Sequence, residues 1–330
     1  MGLGSDQQVV VGIDGGGTHT RVMVCELTGR VLAYIERGSA SLHKDLRASM
    51  NVRNAISEGL AAAGKKPNQV RGLAAGIAGY DSESDLEWVE SLTALDALSC
   101  PRWHVNDAVA AHYGALLMKP GIIAISGTGS IIVACTENGK YLRNYDFHQY
   151  AYSAARFISY EAVYEALAGY ADGTDSSLVE AMLRHWGVES MAELYAIGTA
   201  GFDGDRRERD LRFGQFAPTV TAAAQHGSAL AQRVCDRALH QLKLGIQLLG
   251  AAFTQETIPV AFIGSVINSR YVNDQLEILL GAAGGSHRYR VVPPRYSPAA
   301  GAVLYALRQL GIPVTGDVTA NLDRSEFTKT

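Results

Sequence analysis

The stretch VVVGIDGGGTHTRVMVCELTGRVL, residues 9–32, decides the fold. An apolar run from Val9 to Ile13 ends in Asp14. Three glycines and a threonine follow, then a second apolar run, the turn Leu27-Thr28-Gly29-Arg30, and a third run. The pattern predicts strand, tight turn, strand, turn, strand. Gly15, Gly16 and Gly17 remove every Cβ from the first turn, so its backbone N–H groups can approach an anionic ligand closely. Asp14 sets one carboxylate at the mouth of that turn, where it could hold a hard cation such as Mg²⁺ directly or through water. A glycine turn with Asp14 and Thr18 suggests a nucleotide phosphate site. An ordinary hairpin is the plainer alternative, but it needs one or two glycines rather than three.

The same grammar returns in GIIAISGTGSIIVAC, residues 121–135. An apolar run reaches Ser126, the turn Gly127-Thr128-Gly129-Ser130 follows, then another apolar run and the turn Asn138-Gly139. Two phosphate-type hairpins predict two related subdomains facing each other across a cleft. Neither turn is a G-x-x-x-x-G-K-[ST] loop, and neither opens directly into a helix.

With these residues in view the chain resembles the N-acetylglucosamine kinase-like family. DGGGT at 14–18, VNDA at 105–108, SGTGS at 126–130, FIGSV at 262–266 and SPAAGAVLYAL at 297–307 stand in that family's order, over roughly residues 8–312. The family lies in the actin, sugar kinase and heat-shock ATPase superfamily, with the activator ATPases of benzoyl-CoA reductase and hydroxyacyl-CoA dehydratases as relatives. The resemblance implies an α/β fold of two ribonuclease H-like, actin-type domains, each a mixed sheet flanked by helices, and it implies ATP with Mg²⁺. Five motifs in order are specific for fold and ATP binding, and much less so for the phosphate acceptor.

Composition describes a soluble globular protein. The chain has 330 residues, 47% hydrophobic and 19% charged, enough for two domains. Its 35 glycines exceed the usual share of about 7%. A net charge of −4 argues against a nucleic-acid surface. The basic stretch 205–209 carries interleaved acids and reads as a solvated face. The four cysteines, Cys25, Cys100, Cys135 and Cys235, are widely spaced, which suits small buried apolar roles better than metal or cluster ligation. No signal peptide pattern is present and no apolar run reaches about 18 residues, so a cytoplasmic protein without membrane contact is expected, with residues 1–8 as a patternless leader. A homodimer is expected.

Periodicity predicts a helix over 45–63 with Leu46, Met50, Ile56 and Leu60 as its apolar stripe, a buried strand over 70–77, a helix over 83–98, a short strand over 103–105 delivering Asn106 and Asp107, and a helix over 108–118. In the second half it predicts a strand near 140–145, helices between about 157 and 254 with a central helix or pair over 217–253, strands at 259–263 and 288–292, and helices over 271–283 and 297–310. The order βββαβαβα therefore occurs twice. The domains are placed at 1–119 and 120–296. By the resemblance, 297–312 is a closing helix that packs back on the first domain. Residues 313–330 are read as a loose polar tail.

Phosphoryl transfer needs positioning, charge neutralisation and a base. Gly15, Gly16, Gly17 and Thr18 from one hairpin, and Gly127, Thr128, Gly129 and Ser130 from the other, can supply donors to a triphosphate, with Asp14 for the metal. The resemblance makes Asp107 the general base for the acceptor hydroxyl. The plainer alternative is that Asp107 caps the helix beginning at Ala108. The resemblance also makes 262–266 the adenosine turn, with Gly264, Ser265 and Asn268 at the base or ribose.

Two acceptor-side elements depart from the amino-sugar kinases. Tyr150 stands about where the family has an aspartate that holds sugar hydroxyls, and Leu42 about where it has an asparagine. A pyranose needs paired polar groups, because buried hydroxyls must be satisfied. The residues expected to line the acceptor are Ser41, His43, Asn106, Tyr145, His148, Tyr150 and Tyr152. They suit a flatter or more apolar acceptor, or a sugar bearing a large substituent. A packed aromatic lid without ligand is the alternative. The expected function is an ATP-dependent kinase acting on a hydroxyl of a small, sugar-like acceptor. The alternative is an ATPase activator or nucleotide-dependent regulator.

Overall fold

The computed structural model describes residues 8–42, 44–281 and 288–329. The chain divides into two compact units, one of residues 1–120 with 293–330 and the other of 121–292.

Unit 1 contains β1 (Val9–Gly15), β2 (Thr20–Glu26), β3 (Val31–Arg37), α1 (Ala48–Ala62), β4 (Val70–Ile77), α2 (Leu86–Leu92), β5 (Arg102–Asn106) and α3 (Asp107–Leu116). Its sheet order is β3-β2-β1-β4-β5, with β1 antiparallel to β2 and parallel to β4. Every residue of β1 is buried. A central strand covered on both faces must be apolar throughout, which is why Val9–Ile13 does not alternate. The period of two survives in where the side chains go. Val9, Val11 and Ile13 enter the core under α1 and α2, while Val10 enters the core formed with α10 (Pro298–Gln309). At Gly12 a Cβ would lie 2.5 Å from the Ala299 carbonyl oxygen, so α10 rests directly on the strand backbone.

Unit 2 contains β6 (Gly121–Ser126), β7 (Ser130–Cys135), β8 (Tyr141–Arg143), α4 (Ala155–Leu167), α5 (Ser176–Trp186), α6 (Met191–Thr199), α7 (Arg206–Gln225), α8 (Ala229–Gly250), β9 (Ile258–Ile263), α9 (Arg270–Gly281) and β10 (Tyr289–Val291). Its sheet order is β10-β9-β6-β7-β8. Read from β8, this is third, second, first, fourth, fifth, the order of unit 1. The fold is α/β, two mixed five-stranded sheets flanked by helices, as the repeated hairpin grammar implied. Cys25 and Cys235 fill apolar cores and Cys135 is buried in β7. Among the described residues no helix is long and apolar enough to cross a membrane.

Three expectations change. The predicted helix over 45–63 begins at Ala48, and Leu46 (80% exposed) and Met50 point to solvent. Its buried face is Ala48, Val52, Ala55, Ile56, Gly59 and Leu60, so Ile56 and Leu60 of the expected stripe meet the core while Leu46 and Met50 do not. The helix over 83–98 reduces to a single 3₁₀ turn and α2. The segment expected as a loose tail is folded: α11 (Gly316–Asp323) buries Val318 and Leu322 beside α10, and Thr328 is buried as well. Two apolar residues four apart are a whole helical face when the helix has only eight residues.

Candidate functional site

In unit 1 the phosphate hairpin is the β1–β2 turn. Gly16 N–H donates to His19 O (2.9 Å), and Gly16 O accepts from Ala40 N–H (3.1 Å), which fastens the hairpin to the loop after β3. Gly15 is set by packing, since a Cβ there would meet Ile77 Cδ1 at 2.6 Å. Gly17 is different. A Cβ there would meet nothing nearer than Lys44 Cγ at 4.0 Å, and its φ is not positive. Neither packing nor backbone conformation asks for glycine at that position, which leaves open space beside an exposed Thr18.

Asp14 is the next-to-last residue of β1 and is buried, 6% exposed. Arg21 Nη1 donates to Asp14 Oδ2 (3.2 Å), and Arg21 Nε donates to Glu36 Oε2 (2.8 Å). Burial raises the Asp14 pKa and Arg21 opposes the rise. Arg21 carries no motif signature and was not singled out from sequence. A cation facing Asp14 across β1–β2 pairing was nevertheless readable once the register was known.

Asp107 is the first residue of α3, at the end of β5. The helix cap is its neighbour: Asn106 Oδ1 accepts from Ala108 N–H (3.0 Å), and Asn106 Nδ2 donates to Tyr80 O (3.1 Å) and Asp81 Oδ1 (3.2 Å). Asn106 is thereby committed to the loop after β4 and to the cap. Asp107 also accepts from Ala108 N–H (2.9 Å), yet its pKa is pushed up to about 7, by burial and then by the negative charge of Asp14. The Ala108 N–H alone would hold the carboxyl low, and burial and Asp14 outweigh it.

In unit 2 the hairpin 126–130 and the turn 262–266 lean on each other. Ser126 O accepts from Val266 N–H and Ile267 N–H, both at 3.1 Å, and a Cβ on Gly127 would touch Gly264 Cα at 3.4 Å. Gly264 has φ +108° and sits against the Ser126 carbonyl, so both geometry and space require glycine there. The structure thus brings Gly127, Gly264 and Ser265 together. Asn268 is exposed in the next turn, where its N–H donates to Gly264 O (3.2 Å). Gly129 has no atom within 4 Å of a hypothetical Cβ, the open environment also seen at Gly17. Ser130 is partly committed, its Oγ 2.7 Å from Ser153 Oγ, while Ser126 Oγ donates to Ser153 O (2.7 Å). Arg156 Nη1 reaches Thr128 O at 3.4 Å. Ser153 and Arg156 are site-adjacent residues that the sequence reading did not assign.

The segment 145–152 divides. Tyr145 packs down, its hydroxyl donating to Ser130 O and its ring 5.2 Å from that of Tyr150. Phe147, Tyr150 and Tyr152 are about half exposed and His148 is exposed with φ +54°. Tyr152 packs edge-on against Phe157 (5.1 Å). The segment is held by buried Asn144, whose Oδ1 accepts from Ile132 N–H (3.0 Å) and whose Nδ2 donates to Gln149 O (2.8 Å). Asp146 is paired with Arg143 (2.9 Å). Ser41 is buried in the turn after β3, its O accepting from Lys44 and Asp45 N–H at 2.9 Å. His43 lies outside the described residues.

The BadF/BadG/BcrA/BcrD ATPase family profile matches residues 11–306. The N-acetylmuramic acid/N-acetylglucosamine kinase of Clostridium acetobutylicum is 24% identical over 305 residues, 90% of this chain and 97% of that one. Among solved structures, a proposed N-acetylglucosamine kinase of Chromobacterium violaceum superposes with a TM-score of 0.70 at 22% identity, covering 91% of this chain and 99% of its own. One from Porphyromonas gingivalis gives 0.65 at 16%, covering 92% and 99%. At these identities the structures speak for the fold alone. The profile spans both glycine hairpins, Asp107 and the turn at Gly264, and on that match the chain belongs to the BadF/BadG/BcrA/BcrD ATPase family.

Proposed function

We propose that this protein is an ATP-dependent kinase that transfers the γ-phosphate to a hydroxyl of a sugar or sugar-like acceptor. The observation that carries the reading is Asp107, a carboxyl with its pKa raised to about 7 beside Asp14. A base poised near the working pH is what proton removal from an alcohol needs. In the step, Asp107 takes the acceptor hydroxyl proton as the oxygen attacks the γ-phosphorus. The bond to the β-phosphate oxygen breaks, and ADP and a phosphate ester leave. The kinase name of the Clostridium acetobutylicum relative supports the same reading.

Gly15, Gly16, Gly17 and Thr18, and Gly127, Thr128, Gly129 and Ser130, would bind phosphate oxygens, with Gly264, Ser265 and Asn268 at the adenosine. Asp14 fits Mg²⁺ that arrives on the nucleotide, since Mg²⁺ is commonly held by one or two carboxylates plus phosphates and water. Among the described residues no cluster of three or more His, Cys, Asp or Glu could form an all-protein cage. Mg-ATP is expected to raise the melting temperature. Because Gly17 has room for a side chain, Gly17→Val should melt like wild type without ligand and lose that rise. A ligand-induced shift equal to wild type would remove the hairpin from the phosphate site.

The acceptor pocket is proposed to depart from the N-acetylglucosamine type, with Ser41, Tyr145, His148, Tyr150 and Tyr152 near the acceptor. Leu42 and Tyr150 cannot pair the hydroxyls that an asparagine and an aspartate would. Each unpaired hydroxyl costs roughly 1–3 kcal/mol, so free N-acetylglucosamine should show a Michaelis constant in the millimolar range or above. Steady-state phosphorylation well below a millimolar would refute this part.

A further inference from the structure

The geometry points to a second subsite: the acceptor is the end of a larger neutral glycoside or oligosaccharide, and its next ring lies in a groove between α4 and α8. The inference rests on the kinase reading above and specifies its substrate class. The groove encloses about 800 Å³ within unit 2, inside the range of about 300–1,000 Å³ usual for small-molecule sites. Its apolar surface includes Tyr152, Phe157 and Tyr164, and its polar heads include Glu161, Arg237 and Gln241. Tyr152 and Tyr164 are 59% and 51% exposed, Tyr152 edge-on to Phe157 (5.1 Å) and Tyr164 beside Tyr160 (5.7 Å), so part of each ring is open to a ligand.

Three features select the occupant. The first is continuity with the phosphate hairpin. Tyr152 precedes Ser153, which bonds to Ser126 and Ser130, and Ala155 N–H, at the start of α4, donates to Gly127 O (2.8 Å). From Phe157 to Tyr164 the helix then rises about 10 Å, the length of one or two sugar rings. The second is charge. Arg237 is paired with Glu161 (3.0 Å) and with Glu165, so the guanidinium of the lining is already engaged by carboxylates, with His240 as the remaining basic group there. The third is the mixture of aromatic faces with amide and carboxylate heads. A sugar ring has an apolar C–H face and a hydroxyl edge, and a site that meets both leaves no hydroxyl unpaired. Contacts in the groove would also replace the recognition that Leu42 and Tyr150 remove from the first ring.

The test uses Tyr164→Ala and Gln241→Ala, neither of which belongs to the transfer machinery. Calorimetry without ATP compares N-acetylglucosamine and glucose with their β-1,4-linked dimers. At least one dimer is expected to bind tenfold or more tighter than its monomer, and both variants should abolish that gain while monomer and ATP affinities stay within twofold. The inference is overturned if no dimer outbinds its monomer or if the gain survives both variants. It is equally overturned if Tyr164→Ala dissociates a protein dimer in gel filtration, since the groove then holds a second copy of the chain. Phosphotransfer assays on the same sugars separate the two claims. Groove-dependent binding with no transfer to any sugar refutes the kinase reading alone, and transfer with no groove effect refutes the subsite alone.

Discussion

Asp107→Asn should lower kcat by about 10²-fold or more while the ATP dissociation constant stays within a few-fold, because a general base acts only on the chemical step. The pH dependence has a definite sign. The base must be ionised to accept a proton, so wild-type activity should fall as pH drops below about 7, the pKa of Asp107. The charge of Asp14 helps to raise that pKa, so Asp14→Asn should move the acid limb to lower pH in whatever activity it retains. Stability should move the opposite way to activity. A raised folded-state pKa means that the native protein holds this proton more tightly than the unfolded chain does. The group therefore favours folding at acid pH, and that contribution is lost as pH rises from the unfolded value toward 7 and beyond. Replacing it with Asn removes the cost, so the variant should be more stable than wild type at pH 8. A variant that is less stable at pH 8 and still turns over at saturating ATP would make Asp107 a structural cap.

Removing residues 315–330 is expected to cost unit 1 much of its stability. Burial of Val318 and Leu322 contributes about 1.5–3 kcal/mol each. Tyr296 is buried, and its hydroxyl bonds to Asp323 Oδ1 (2.9 Å) and Thr319 O (3.1 Å). Orphaning it costs about 1–3 kcal/mol more. Ser297, the α10 cap, donates from N–H to Thr328 O (2.7 Å), and Phe327 stacks on Tyr34 at 4.8 Å. The loss is a large part of a typical 5–15 kcal/mol. Urea unfolding should show a much lower midpoint, and Leu322→Ala alone should cost about 2–5 kcal/mol. A truncated chain with an unchanged midpoint would show that the segment only decorates the surface.

The turns and strand ends that carry the candidate site rest on local chemistry and were legible in the residues. A glycine turn following Asp14, and Asp107 following a strand, declare themselves because tight turns and strand ends restrict which side chains fit. Arg21, Ser153, Arg156 and Asn144 were not legible. Each matters through a partner far along the chain, such as Ser130 for Ser153, and nothing at the residue itself signals that partner. The apolar stripe of α1 was misread at Leu46 and Met50 for a related reason. Periodicity shows that a helix has faces, but the neighbouring sheet decides which face is covered.

By itself the sequence determined two α/β halves with the same order of elements along the chain, because hairpin periodicity followed by helical periodicity is repeated in each half. It also determined the glycine turns and the two carboxylates. Only the tertiary structure decided that Asp107 titrates near 7, since that value comes from burial and from Asp14 on another strand. It also decided that the last residues are part of the core and that the rings at 147–152 stay open to solvent, because burial belongs to packing between distant segments and has no local code.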